Sequence, residues 1–262
     1  MSQSNHWTTH LTQFSDPSLL SLTLQTFDRS FRAYHPDLKL WLRYHWHYSV
    51  YICMVYIGVI KVLHNYMRRR HQQPYTLRLP LFLWNLFLAL FSLSTCIQCI
   101  PELIDIVVNR GFIASYCDSS YEKDIRVVFF YWMFVMSKVW ELGDTVFIIL
   151  RKQPLMPLHW LHHCLTLCYS WFIYADVPST SRWMVCMNAT VHTVMYGYYA
   201  LKAVRLPVHQ SIAKTITTLQ IVQMFIGFYI NITALVFKLT DLSPQCEVTL
   251  PVITTGAAMY TL

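Results

Sequence analysis

Apolar residues run through this chain in long blocks separated by short polar stretches. A membrane span needs about 20 mostly apolar residues. On that measure the pattern predicts spans at 47–66, 79–100, 127–150, 157–175, 183–201 and 212–237. A seventh block starts near 249 and is still apolar at Leu262. About 14 residues are too few to cross a bilayer, so either the chain is truncated within its last helix or its last segment is shorter than a full span. The expected fold is an all-α membrane protein with seven transmembrane helices, the last one cut short. Residues 1–46 are polar and dotted with aromatics, and predict an N-terminal region carrying a short interfacial helix. Residues 47–262 would form the transmembrane domain. The first forty residues lack the apolar core of a cleavable signal peptide.

Composition agrees with this pattern. Hydrophobic residues make up 55% and charged residues 13%, where a soluble domain carries about 25% charged. The net charge of +7 does not point to a nucleic acid, because the basic residues sit in short clusters between apolar blocks. Those clusters read as topology signals, since cytosolic loops are rich in Lys and Arg. Lys61, Arg68, Arg69, Arg70 and Arg78, then Arg151 and Lys152, then Lys202, Arg205 and Lys214 fall in alternate loops. The remaining loops mix Arg110, Lys123, Arg126, Arg182 and Lys238 with Glu102, Asp105, Asp118, Glu122, Asp124, Asp241 and Glu247. The first set is therefore expected in the cytosol and the N-terminus in the lumen. Arg29, Arg32, Lys39 and Arg43 in the N-terminal region run against this orientation. Cys117 and Cys246 fall in two loops on the lumenal side, which is oxidising. A disulfide between them is expected; two free thiols in separate loops are the alternative. The other cysteines lie in apolar segments, where a thiol packs as a small hydrophobe.

Ionisable groups inside a bilayer are costly and usually face a protein interior. Four polar clusters lie inside the predicted spans. Lys138, Glu141 and Thr145 recur at i, i+3 and i+7 on one helical face, with Asp144 beside them. They would form an ion-pair network between helices, take a direct chemical role, or both. His159, His162 and His163 place three imidazoles on one face of the fourth span. They would bind a metal, perform nucleophilic or acid–base chemistry, or serve as structural histidines. Three on one face favour function. Asn188, His192, Tyr196 and Tyr199 form a stripe on the fifth span, where Tyr198 and Tyr199 also suit an aromatic belt. Thr217, Gln220 and Gln223 lie on the sixth, where glutamines often bond neighbouring helices. The glycosylation patterns at Asn188 and Asn231 fall inside spans and are discounted. At a rise of 1.5 Å per residue, Glu141 and His192 lie about 15 Å from the cytosolic ends of their spans, and His162 and Gln220 about 8–9 Å. All four clusters share the cytosolic half. One polar chamber open to the cytosol, above an apolar tunnel, suits a ligand with a charged head and a long hydrocarbon tail.

In these motifs the chain resembles the ELO, or ELOVL, very-long-chain fatty acid elongases. The matching residues are Lys138-x-x-Glu141-x-x-Asp144-Thr145, His159-x-x-His162-His163, Asn188-x-x-x-His192-x-x-Met195-Tyr196-x-Tyr198-Tyr199 and Thr217-x-x-Gln220-x-x-Gln223. The resemblance runs from about Trp46 to the end. The stretch Glu141 to Gln153 looks most like the subgroup acting on saturated and monounsaturated chains. The resemblance implies seven helices, with helices two to seven forming a barrel around a closed-ended acyl tunnel. It implies an enzyme of the endoplasmic reticulum membrane that condenses acyl-CoA with malonyl-CoA, giving 3-ketoacyl-CoA, CO2 and CoA. It implies an acyl-imidazole intermediate on His162, with His192 opposite, and it matches the Cys117–Cys246 pairing. No cofactor or metal is expected beyond the two CoA substrates. A homo-oligomer and association with other enzymes of the elongation cycle remain open.

From the residues themselves, His159 and His163 would set the tautomer of His162 and take protons. His192 and Asn188 are the candidates to hold an enolate oxygen. Lys138, Glu141 and Asp144 would orient donors and balance charge, with Tyr196, Gln220 and Gln223 in support. Arg68 to Arg70, Lys202 and Arg205 are candidates for the CoA phosphates. Cys164 is read as a packing residue. A di-iron desaturase would need more histidines than this set. A receptor or transporter would share the span count but has no need of three imidazoles on one face.

Overall fold

A computed structural model of the chain describes residues 17–69, 73–240 and 246–259. The first sixteen residues, Arg70, Asp241 and Leu262 lie outside the described residues. Among the described residues all regular structure is helical. The helices are α1 (Pro17–His45), α2 (Tyr48–Arg69), α3 (Arg78–Arg110), α4 (Ile125–Glu141), α5 (Gly143–Leu150), α6 (Pro157–Tyr174), α7 (Ser181–Ala203), α8 (Gln210–Thr240) and α9 (Leu250–Met259). Short helical turns at Ala114–Cys117 and Ser120–Lys123 link α3 to α4. By length and composition α2, α3 and α8 are each able to cross a membrane. Val62, Val108 and Phe225 on these helices are exposed. Apolar side chains spread over an outer face mark a surface that meets lipid or a partner rather than water.

Two elements differ from the sequence expectation. The N-terminal helix is not short: α1 runs 29 residues with Pro36 inside it. Its polar composition hid an aromatic stripe at i, i+4 and i+8. Phe27 and Phe31 pack edge-on against Phe129 of α4 at 4.9 and 5.1 Å. His35 Nε2 lies 3.1 Å from the Tyr174 hydroxyl of α6. The predicted span at 127–150 is two helices, α4 and α5. At the join, the Leu142 N–H donates to the Val139 carbonyl at 3.3 Å, an i→i−3 bond that tightens the turn. Gly143 then lies directly under Trp84 of α3. A Cβ at this position would stand 2.6 Å from the indole ring.

α3 makes its most extensive contact with α7 and also touches α4. α4 packs on α6, α6 on α9, α9 on α8, and α8 on α7. Gly256 lets α9 come close: a Cβ there would stand 2.4 Å from Asn231 Oδ1 of α8 and 2.6 Å from the Tyr169 hydroxyl of α6. Outside these, α2 packs on α5 and α6, and α1 on α6 and α4.

The end of the molecule away from the histidine box is tied together by polar bonds. The Arg182 guanidinium is fully buried. Its Nε and Nη2 donate to the Glu102 carboxylate at 2.8 and 2.9 Å. Its Nη1 donates to the Ser115 and Asp118 carbonyls, each at 2.7 Å. Cys117 and Cys246 are joined by a disulfide across 129 residues of sequence. The Glu247 N–H beside it donates to the Cys117 carbonyl at 2.7 Å. Removing one member of a buried ion pair strands the other, at about 3–5 kcal/mol. Arg182→Ala is therefore expected to lower the melting temperature sharply. Arg182→Ala with Glu102→Ala together should cost less than the sum of the two, measured by thermal unfolding in detergent.

Asp118 sits in the same cap. Partial burial works against its charge, but hydrogen bonds from Ser120 and the nearby Arg110 and Arg182 outweigh that and hold its pKa below the ordinary 3.8. A carboxylate depressed on folding stabilises the fold above its unfolded pKa and loses that contribution as the pH falls through the folded value. The melting temperature should therefore fall more steeply with acid in the native protein than in Asp118→Asn.

Candidate functional site

The site begins with a buried cation. Lys138 and Glu141 sit one turn apart on α4, both buried, and Nζ donates to Glu141 Oε1 at 2.8 Å. Ser137 Oγ donates to the same oxygen at 3.1 Å. Lys138 Nζ also donates to Asn188 Oδ1 of α7 at 2.9 Å and lies 4.1 Å over the Phe134 ring. An ammonium has donors only. It therefore fixes the Asn188 amide with its oxygen toward Lys138 and its nitrogen toward His192, where Nδ2 stands 3.2 Å from His192 Nε2. An amide nitrogen only donates, so Nε2 must accept, and the proton of the neutral ring sits on Nδ1. Nδ1 faces Glu141 Oε1 at 3.8 Å.

The next turn points elsewhere because of the step at Leu142. Asp144 accepts from the Trp84 indole N–H at 2.6 Å and from the Tyr196 hydroxyl at 2.7 Å. Tyr196 is buried and stands edge-on to the His192 ring at 5.2 Å. Thr145 turns toward α2 and α6, with its Oγ1 2.5 Å from the Tyr56 hydroxyl and 3.1 Å from His159 Nε2.

The three box histidines have three different surroundings. His159 is half-buried on Thr145, and His163 is buried with its ring 4.6 Å from that of His159. His162 is the exposed one. Among the described residues no group of three or more His, Cys, Asp or Glu side chains is gathered as a metal site. Cys164 is buried, and Cys53 Sγ lies 3.6 Å from its carbonyl oxygen.

His162 opens onto a cavity whose empty space, the solvent-open mouth included, is about 590 Å³. Lys138, Asn188 and Gln223 share its wall with His162, and Phe134, Met187 and Met224 give it an apolar lining. The two glutamines separate here. Gln220 Nε2 contacts Met195 Sδ at 3.4 Å, a link from α8 to α7. Gln223 Oε1 is buried with no hydrogen-bond partner among the described residues, and its side chain lines the cavity. His192 stands behind Asn188 rather than on the wall, and Tyr199 is exposed. Trp84, Tyr56 and Phe134 were not singled out from sequence. The only signal was that Trp and Tyr in an apolar helix need a partner for their polar end.

Arg68, Arg69, Lys202 and Arg205 are exposed at helix ends. The Tyr75 N–H, just after the first of these ends, donates to the Leu150 carbonyl at the end of α5. Lys138→Ala should strand Glu141 and cost about 3–5 kcal/mol. Lys138→Met combined with Glu141→Gln should recover much of the lost melting temperature, since no bare charge is then left inside.

Residues 41–262 match the ELO: GNS1/SUR4 family. Very long chain fatty acid elongase 6 of Drosophila melanogaster is 43% identical over 227 residues, covering 86% of this chain and 71% of the relative. Long chain fatty acid elongase 2 of Caenorhabditis elegans is 42% identical over 191 residues, covering 72% of this chain and 70% of the relative. Very long chain fatty acid elongase 6 of Gallus gallus is 39% identical over 214 residues, covering 82% and 79%. With the matched region taking in every element of the site, the chain belongs to the ELO (GNS1/SUR4) family.

Proposed function

We propose that this chain performs the condensing step of fatty acid elongation, joining a long-chain acyl-CoA to malonyl-CoA. The observation that carries the reading is the cavity: the accessible imidazole, His162, opens onto a wall that is polar at Lys138, Asn188 and Gln223 and apolar at Phe134, Met187 and Met224. A thioester head and an acyl tail need those two surfaces side by side.

In this reading His162 attacks the thioester carbonyl. A C–N bond forms, the C–S bond breaks, and the departing CoA thiolate takes the proton released by the imidazole. Malonyl-CoA then loses CO2, and the electron pair of the broken C–C bond becomes an enolate. The enolate carbon attacks the acyl carbonyl and the C–N bond breaks. His162 leaves and takes a proton from solvent. The products are a 3-ketoacyl-CoA two carbons longer, CO2 and CoA. Asn188 on the cavity wall is placed near the developing oxyanion, with His192 behind it. Lys138 joins them, since among the described residues its N–H donors go to the two acceptors Glu141 and Asn188, leaving the third beside the Phe134 ring. No cofactor is needed. The 3-keto thioester must next meet a carbonyl reductase, so the other enzymes of the cycle are expected neighbours.

The helix contacts support the seven-span reading. Taken in order, α3, α4, α6, α9, α8 and α7 close into a circuit back to α3, as helices two to seven of a barrel would, with α2 outside. The described residues from 47 on would form this transmembrane domain, and α1 the N-terminal region. The contacts of α1 also support a lumenal N-terminus. Lys39 pairs with Glu122, Arg43 with Asp176 and Arg32 with Asp28, so most of the basic residues there are neutralised. The site end would then face the cytosol of an endoplasmic reticulum membrane, with Arg68, Arg69, Lys202 and Arg205 near the CoA phosphates.

Purified protein given saturated acyl-CoA should release CO2 from malonyl-CoA. His162→Ala should lose that release by about 100-fold or more while keeping its melting temperature. Incubation with acyl-CoA alone should leave an acyl group on His162, seen by mass spectrometry. Unchanged CO2 release in His162→Ala would remove the histidine from this role, and no release from wild-type protein would overturn the function.

A further inference from the structure

Behind the catalytic cavity lies a second one, narrower, with about 390 Å³ of empty space, its open side included, and it differs in lining and in construction. Val128, Tyr131, Val135, Ile173 and Tyr174 line its sides, with His35, Tyr121, Val177, Pro178 and Ser181 toward its end. Among the described residues one side chain, Met184 of α7, lines both cavities. Met184 lies one turn beyond Asn188 and two beyond His192, about 12 Å further along α7 than His192. Tyr174 lies about 18 Å along α6 from His162. The second cavity therefore continues the first, in the direction an acyl tail on His162 would run.

Its far end is rigid. Val177 holds φ at +45°, a conformation rarely adopted by a β-branched residue. The turn is pinned on three sides. The Tyr121 hydroxyl donates to the Pro178 carbonyl at 3.0 Å. Arg43 Nη2 lies 3.2 Å from both the Ala175 carbonyl and Asp176 Oδ1. His35 meets Tyr174 at 3.1 Å. A wall braced in this way does not retreat before a longer chain. Met184, by contrast, is unbranched, has three rotatable bonds and is only partly buried.

We propose that Met184 is the specificity-determining gate for acyl-chain length, closing the catalytic cavity in one rotamer and admitting the tail to the chamber behind it in another. This inference rests on the elongase reading above. An unbranched methionine can take either rotamer, but leaving the closed one gives up its packing between the two cavities, so the native protein accepts chains that stop before Met184 readily and longer ones only at the cost of moving it. The chamber sets the absolute limit. Its ring from Tyr131 carries a hydroxyl that is buried without a hydrogen-bond partner among the described residues, so a methyl terminus pushed against it gains nothing polar in return.

The test is the ratio of kcat/KM values across a ladder of saturated acyl-CoAs differing by two carbons, with products sized by mass spectrometry. Met184→Ala joins the two cavities and should raise the ratio for the primer two carbons beyond the wild-type optimum about tenfold or more. Met184→Phe should shift the ratio the same distance toward shorter primers, and it carries the test if Met184→Ala does not fold. Ser181→Leu, which narrows only the far chamber, should undo the gain when added to Met184→Ala. An active wild type with the same length profile in Met184→Ala and Met184→Phe overturns the gate alone. A wild type that condenses no primer overturns the elongase reading and the gate with it.

Discussion

An ammonium ion buried among helices cannot be left unpaired, and most of the site follows from how Lys138 is satisfied. Its charge requires Glu141, one turn along the same helix. Its lack of any acceptor turns the Asn188 amide, and the amide turns the His192 ring. Three helix turns from two helices are thus oriented by donor and acceptor rules alone. The same rules explain why the neighbouring acid needs a different solution. Among the described residues Asp144 forms no ion pair with that ammonium and takes an indole and a phenol instead. Two carboxylates three residues apart are held by unlike partners, one charged and one neutral.

Much of this was legible in the sequence because membrane burial makes polar residues conspicuous. Lys138, Glu141, His162 and Asn188 stand out in apolar blocks, and helical spacing already places them on facing stripes. Cys117 and Cys246 stood out for the opposite reason, as cysteines outside the apolar blocks. What was not legible depends on contacts between distant segments. At the step by Leu142, Trp84 rests on Gly143, and nothing near residue 142 announces a tryptophan 58 positions earlier. The two glutamines look alike in sequence, yet one meets a methionine and the other lines the cavity with its buried oxygen unpaired among the described residues. Met184 reads as an ordinary core residue until two cavities are seen to meet at it.

The N-terminal helix shows what a local counting rule leaves out. Basic residues there count against a lumenal position only if they are free. Lys39 and Arg43 meet Glu122 and Asp176 from segments about 80 and 130 residues away. The counting rule sees cations, whereas the folded protein presents ion pairs. The same helix contributes His35 to the far chamber, so a segment outside the helix circuit still shapes its interior.

The disulfide and the Arg182 cluster lock one end of the helix circuit. In the elongase reading proposed above, that end is the base of the acyl tunnel, and a tube fastened at its base has one mouth. A guest that entered tail-first would then back out head-first along the same path, and a longer one would withdraw past more of the apolar wall. On that reading departure would slow with each pair of carbons added, and the size of the interior would govern how fast the enzyme turns over as well as which guests it takes.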